Sequence, residues 1–164
     1  MGNPGMRVRH PPLLAACIVG CELVGMAGGL FTAAAIPSWY AQLNKASFSP
    51  PPWAFGPAWL ALYLLMGIAL YLVLERGTRR SGVRLGVALF SLQLAANFLW
   101  SLIFFGMRSI LGGLVDIIVM ALLIAATTLQ FYGVRRAAAF VMLPYLAWTL
   151  FALSLNYYAL LLNP

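Results

Sequence analysis

Five long apolar stretches, each broken off by prolines, arginines or a short polar turn, organise this chain. The first runs from about Leu13 to Ile36, after Pro11-Pro12 and before Pro37, and the second from about Pro57 to Leu74, stopping at ERGTRR. The third spans about Leu85 to Phe105, the fourth about Ile110 to Tyr132, the fifth about Ala137 to Leu162. Each has the length of roughly 20 helical residues that a bilayer crossing needs. Lipid offers no hydrogen bonds, so each segment must pair its own backbone groups, which requires helices. The alternating apolar and polar positions of a membrane barrel are absent. The pattern predicts an all-α integral membrane fold, a five-transmembrane-helix bundle. It is one domain over residues 13–164, behind an N-terminal tail of residues 1–12. Arg7 and Arg9 ahead of the first stretch imitate a secretory signal, but the run is too long for a signal core and leads into a chain that stays in the membrane.

Composition strengthens this reading. Of 164 residues, 63% are hydrophobic and 8% charged, where a soluble domain carries about a quarter charged. Most of the surface therefore faces lipid. The net charge of +7 does not form a basic face that could track phosphates, which excludes a nucleic-acid partner. Basic residues gather instead at the ends of apolar runs. Arg7, Arg9, Arg76, Arg79, Arg80, Arg84, Arg135 and Arg136 fall on one side, Lys45 and Arg108 on the other. That asymmetry predicts a multi-pass protein with a cytoplasmic N-terminus.

The one long connection, about residues 37–56, lies on the side poor in basic residues. It reads WYAQLNKASFSPPPWAFG from Trp39, aromatic and nearly uncharged. Pro50-Pro51-Pro52 stiffens its second half and excludes regular helix there. Such material lies in the membrane interface or folds back as a lid over the bundle.

Conventional catalytic constellations are missing. His10 is the lone histidine, no phosphate-binding glycine loop occurs, and no Cys/His cluster suggests a metal. Cys17 and Cys21 share a helix face as small apolar side chains. Gly25 and Gly29, with Ala33 a turn further, form a packing face for another helix, within the bundle or in a dimer. Two acids, Glu22 and Asp116, lie at membrane depth, where ionisable groups signal function or an internal partner. Asp116 is read as paired with a Ser, Tyr, Asn or backbone group. Glu22 has no partner evident in the sequence and lines a polar cavity or stays protonated. Gln93, Asn97 and Ser101 (or Trp100) share one face of the third helix, bridging helices or pointing into a cavity. Trp148 and Asn156 are co-facial in the fifth. On periodicity alone, Trp59, Trp100 and Trp148 read as interfacial belt residues.

The segments WYAQLNK, PPPWAFGPAWLALYLLMG, QLAANFLW, FFG, LVD and LPYLAWTLFALSLNYY occur in an order that resembles the translocator proteins, also called tryptophan-rich sensory proteins or peripheral benzodiazepine receptors. The likeness covers nearly the whole chain after the tail. It implies a homodimer of five-helix protomers in a lipid bilayer, with a ligand cavity beneath the first loop. The implied ligands are porphyrins such as protoporphyrin IX, with sterols and other hydrophobic small molecules, and no obligatory cofactor. Carried over residue by residue, the implied ligand site comprises Tyr40, Trp53, Trp59, Asn97, Trp100, Trp148, Ala152 and Asn156. Lys45 stands at its rim to meet propionates. Trp59 and Trp148 match positions implicated in light-driven porphyrin breakdown, and Asp116 matches a family acid.

The chain departs from the family pattern at Ala46, where Pro is expected, and at Phe48, where Trp is usual. Ser49 and Gly112 replace a His and a Trp of mammalian members. No basic residue follows Tyr157 and Tyr158, so the tail sterol motif is missing, although Leu129, Tyr132 and Arg135 fit that loose pattern elsewhere. These departures make cholesterol transport the weaker expectation and porphyrin binding the stronger; a membrane receptor or sensor for porphyrins is the leading reading, and a transporter of porphyrin or sterol the alternative.

Overall fold

The structure, a computed structural model, describes residues 9–79 and 81–164; Arg7, Arg80 and most of the tail lie outside the described residues. Five long helices are present: α1 (Pro11–Ala35), α2 (Phe55–Leu74), α3 (Ser81–Ser101), α4 (Ile110–Val134) and α5 (Arg136–Leu162). Each is long and apolar enough to span a bilayer. Local chemistry sets their ends. Two prolines open α1, where their missing N–H groups would have no helical partner anyway. Gly77 follows the end of α2 with φ 92°, a conformation that glycine adopts without steric cost. Ser109 caps α4 by accepting from the Gly112 N–H at 3.1 Å.

The helices form a ring in the order α1, α2, α5, α4, α3, with α1 closing it against α3. Its centre holds Met66, Met120, Ile124, Met142 and Tyr145, all fully buried. Phe90 stacks on Phe131 with centroids 6.0 Å apart. Large apolar side chains such as Leu23, Leu30, Leu122 and Leu129 stand exposed around the outside. A surface of this kind is stable in lipid and not in water. At Gly67 the backbones of α1 and α2 nearly touch: a Cβ there would lie 2.5 Å from the Ile18 Cα.

The connection after α1 is shorter than the loop expected over residues 37–56. Pro37 does not stop the helix. A π-helical turn over Ile36–Tyr40 carries it onward, because the widened turn accommodates a ring with no N–H to give. A 3-10 turn over Pro52–Ala54 leads directly into α2. A second π turn, Leu102–Gly106, ends α3.

The described arginines of the basic-rich group gather at one end of the bundle. There the Tyr71 hydroxyl accepts from the Arg9 N–H at 3.1 Å and donates to Glu75 at 3.0 Å, and Glu75 pairs with Arg135. The Arg135 hydrogen bond holds the Glu75 carboxyl below the usual carboxylate range. This network ties the start of α1, the end of α2 and the α4–α5 turn together.

Candidate functional site

A cavity of about 310 Å³ lies between α1, α2 and α3, toward the loop end. Its α2 wall presents Trp59 and Tyr63, one turn apart and so on one helix face. Its α3 wall presents Asn97, Trp100 and Ser101. On α1 the wall runs from Glu22 past Gly25 and Gly29 to Ile36 and Tyr40. The glycine pair is therefore a cavity wall: Gly25 lies beneath the Tyr63 ring, and a Cβ on Gly29 would touch nothing within 4 Å. The close α1–α3 contact falls instead at Gly28, opposite Ser101.

A smaller cavity of about 40 Å³ lies behind it, lined by Lys45, Ser49, Ala152 and Asn156. Tyr40, Phe55, Trp100 and Phe105 line both cavities and form the partition between them. The two π turns supply Tyr40 and Phe105 to this partition. Tyr40 from the first packs on Phe105 from the second at 5.7 Å, and Trp39 on Phe104 at 5.4 Å. Widened turns re-aim side chains that an unbroken α-helix would direct elsewhere.

The polar stripe of α3 does both things its pattern allows. Tyr63 donates to the Asn97 carbonyl, the Asn97 amide donates to the Tyr145 hydroxyl at 2.8 Å, and Tyr145 donates to Gln93 at 2.9 Å. The chain bridges α2, α3 and α5 while Asn97 still faces the cavity. Higher in the bundle Trp100 donates to Asn156 at 3.2 Å, and Asn156 donates to the Ile110 carbonyl at 3.0 Å. These bonds fix the plane of the Trp100 indole, which also stacks on Phe104 at 5.2 Å. Neutral polar groups in so apolar a wall set orientation without adding charge.

The residues expected in the ligand site divide accordingly. Tyr40, Trp59, Asn97 and Trp100 line the main cavity, while Ala152 and Asn156 line the smaller one with Lys45. Lys45 sits 4.9 Å from the Tyr40 ring centre and donates to the Leu43 carbonyl at 3.1 Å. Trp148 lines neither cavity. It packs behind Phe55 at 6.2 Å, and its indole N–H is buried without a partner. Trp53 stands outside both, 76% exposed. Asp116 borders neither cavity, and its Oδ2 is buried with no hydrogen-bond partner, so the pairing expected for that atom is not made. Arg135, the basic member of the loose sterol pattern, is engaged by Glu75.

Four participants escaped the sequence reading. Tyr63 and Tyr145 were legible as co-facial with Trp59 and Trp148, but as apolar helix residues they carried no special signal. Asn44 and Asn163 tie the loop to the end of α5, and nothing local announces a pairing across that distance. Phe48, at a position usually Trp, packs on Tyr158 at 5.3 Å and so also holds the loop against α5.

Comparison with known proteins agrees with this architecture. Residues 17–162 match the TspO/MBR family. The tryptophan-rich protein TspO of Chlorobaculum tepidum is 45% identical over 151 residues, covering 92% of this chain and 96% of that protein. The Homo sapiens translocator protein is 45% identical over 157 residues, covering 94% and 86%. The tryptophan-rich sensory protein of Cereibacter sphaeroides is 38% identical over 125 residues, covering 76% and 77%. A matched span that reaches all five membrane-crossing helices, with relatives at this identity covered over most of their length, makes this chain a multi-pass membrane protein of the TspO/MBR family.

Proposed function

We propose that this protein is a membrane receptor that binds porphyrins and related flat hydrophobic ligands in the cavity between α1, α2 and α3. The observation that carries the reading is that cavity: about 310 Å³, with Trp59 and Trp100 in its walls and Asn97 as an oriented neutral polar group. A planar macrocycle gains most from stacking on aromatic faces, with a few polar contacts to fix its rotation. Its propionates would point toward the loop end, where Lys45 lines the adjoining small cavity. The partition of Tyr40, Phe55, Trp100 and Phe105 would shift to admit the larger ligands. Relatives named sensory protein and translocator protein support a sensor or transport role at the membrane.

Titration with protoporphyrin IX, read by quenching of tryptophan emission, tests this. Saturable quenching is expected, with affinity falling several-fold in Trp59→Phe and less in Trp148→Phe, which stands one ring back from the cavity. No quenching, or unchanged affinity in the double variant, overturns the reading. Illumination of the complex with product analysis then tests light-dependent porphyrin breakdown. Trp59 is the electron donor best placed for it, since the rate of electron transfer to an excited macrocycle falls steeply with distance.

The rival reading is a transporter. The network of Tyr71, Glu75 and Arg135 across the arginine-rich end favours a site with access from one direction only. Proteoliposomes should then show saturable binding without net flux. The N-terminus is assigned to the cytoplasm, and accessibility labelling of Arg79→Cys from that side checks it. A second copy of the chain is the partner that the family resemblance implies, checked by the mass of the purified protein in detergent.

A further inference from the structure

Glu22 is the single ionisable acid in the wall of the main cavity, and the wall contains no Lys, Arg or His. Among the described residues no side chain pairs with it: the one ion pair joins Glu75 to Arg135, at the far end of α2. Asp116, the other acid at membrane depth, borders neither of the two loop-end cavities. Glu22 also has open space beside it. Of the two helical turns above it, the first carries Gly25 beneath the Tyr63 ring, and on the second a Cβ on Gly29 would meet nothing. The flanking Met26 and Leu60 are 67% and 62% exposed, so the gap between α1 and α2 faces the lipid at this level. The two helices touch at Gly67 and Ile18 and leave room toward the loop.

A carboxyl group in that position has no protein cation to compensate it, and ionisable groups at membrane depth mark sites where a partner or a ligand meets them. We infer that a second class of ligand supplies the partner: beside porphyrins, the α1–α2 opening takes hydrophobic ligands bearing a basic amine in preference to neutral ones of the same shape. A carboxyl and an amine share one mobile proton. The pair is net neutral whichever group holds it, so the complex puts no uncompensated charge into the bilayer. A ligand carboxylate at the same point would set two acids side by side, and a neutral ligand would leave the carboxyl unpaired. The geometry accommodates both parts of such a molecule. The Tyr63 ring covers Gly25, and Trp59 is one turn further along α2. The indole therefore stands about two helical turns, on the order of 10 Å, from Glu22 along the axis. A fused-ring body on Trp59 with a short aminoalkyl arm reaches the carboxyl.

This inference rests on the same cavity being the ligand site, and the test separates the two. Anthracenylpropylamine and its alcohol, anthracenylpropanol, differ only in the terminal group, and both quench tryptophan emission. Wild type should bind the amine about tenfold or more tightly than the alcohol, the range of a charge-assisted hydrogen bond. In Glu22→Gln that ratio should fall to near one through loss of affinity for the amine, with saturable quenching by the alcohol reporting that the cavity still forms. Glu22→Asp, which keeps a carboxyl, should retain a preference even if Glu22→Gln fails to fold. An equal affinity for amine and alcohol in wild type, or a preference that survives in Glu22→Gln, overturns the inference while porphyrin binding stands. If neither probe nor porphyrin binds, both readings fall.

Discussion

Asn44 in the first loop and Asn163 at the end of α5 hold each other by hydrogen bonds in both directions. The Asn44 backbone N–H donates to the Asn163 side-chain Oδ1 at 2.9 Å, and the Asn163 side-chain amide donates back to the Asn44 backbone carbonyl at 2.9 Å. The Asn44 amide adds a bond to Leu162, and the Asn163 amide one to Ala159. The clasp anchors the connection that carries Lys45 and Ser49 over the small cavity. It supplies restraint in a loop where Ala46 replaces the proline usual in the family. Replacing Asn163 with Ala should cost on the order of 1 kcal/mol, since the bonds are exposed. The larger effect should be kinetic. Amide hydrogen exchange across residues 43–49 should accelerate, and porphyrin should both associate and dissociate faster. Unchanged exchange in the loop would show that Phe48 on Tyr158 holds it alone.

The Tyr145 hydroxyl lies between Asn97 and Gln93 and satisfies both. Tyr145→Phe keeps the ring but leaves two buried amide groups short of a partner, in addition to the Gln93 Nε2 that already has none. Unfolding in detergent should show a loss of about 1–3 kcal/mol. Porphyrin affinity should fall as well, because Asn97 loses the contact that orients it. Adding Gln93→Leu should cost less than the sum of the two single changes, since it removes an acceptor that would otherwise be stranded.

Two glycines separate stability from binding. A Cβ at Gly67 would run into the Ile18 backbone at 2.5 Å, and backbone cannot step aside as a side chain can. Gly67→Ala should lower stability by about 1–3 kcal/mol. Gly29→Ala meets nothing, so stability should hold or rise by up to about 1 kcal/mol, alanine being the better helix former. Gly29→Leu should instead fill the cavity and weaken ligand binding with the fold intact. Loss of thermal stability in Gly29→Ala would contradict the open space assigned there.

Acid should loosen the arginine-rich end. The Arg135 bond holds the folded-state carboxyl of Glu75 below its ordinary value, which is about 4.3 for a free glutamate. A depressed carboxylate contributes stability that is complete above the unfolded value and is lost as pH falls through the folded one. The Tm difference between wild type and Glu75→Gln should be constant from neutral pH down to about pH 5 and shrink at lower pH. The pair is partly exposed, so its size should be on the order of 1 kcal/mol and decline with salt. A difference that grows on acidification would contradict the pairing.

Where the chain is helical, and how its basic residues divide between two ends, could be read directly from residue order. A bilayer admits few backbone solutions, and a run such as Ile110 to Tyr132 has only one of them available. The family resemblance likewise located Tyr40, Trp59, Asn97 and Trp100, which the fold does gather around one cavity. Local rules misjudged Pro37, because a proline ends an ordinary helix but fits a π turn. They also left open which way the glycine face of α1 points. That is decided by the splay of α1 from α2 above Gly67, a rigid-body relation between helices 27 residues long or shorter that no periodicity encodes. The same splay turns Glu22 into a cavity residue, while Asp116 on α4 lines neither loop-end cavity. Trp148, alike in composition to Trp59, ends one ring behind the site because Phe55 from the opposite helix occupies the nearer place. Spacing along a helix tells which side chains share a face; which face meets a cavity, a neighbour or lipid depends on how five such helices close against one another.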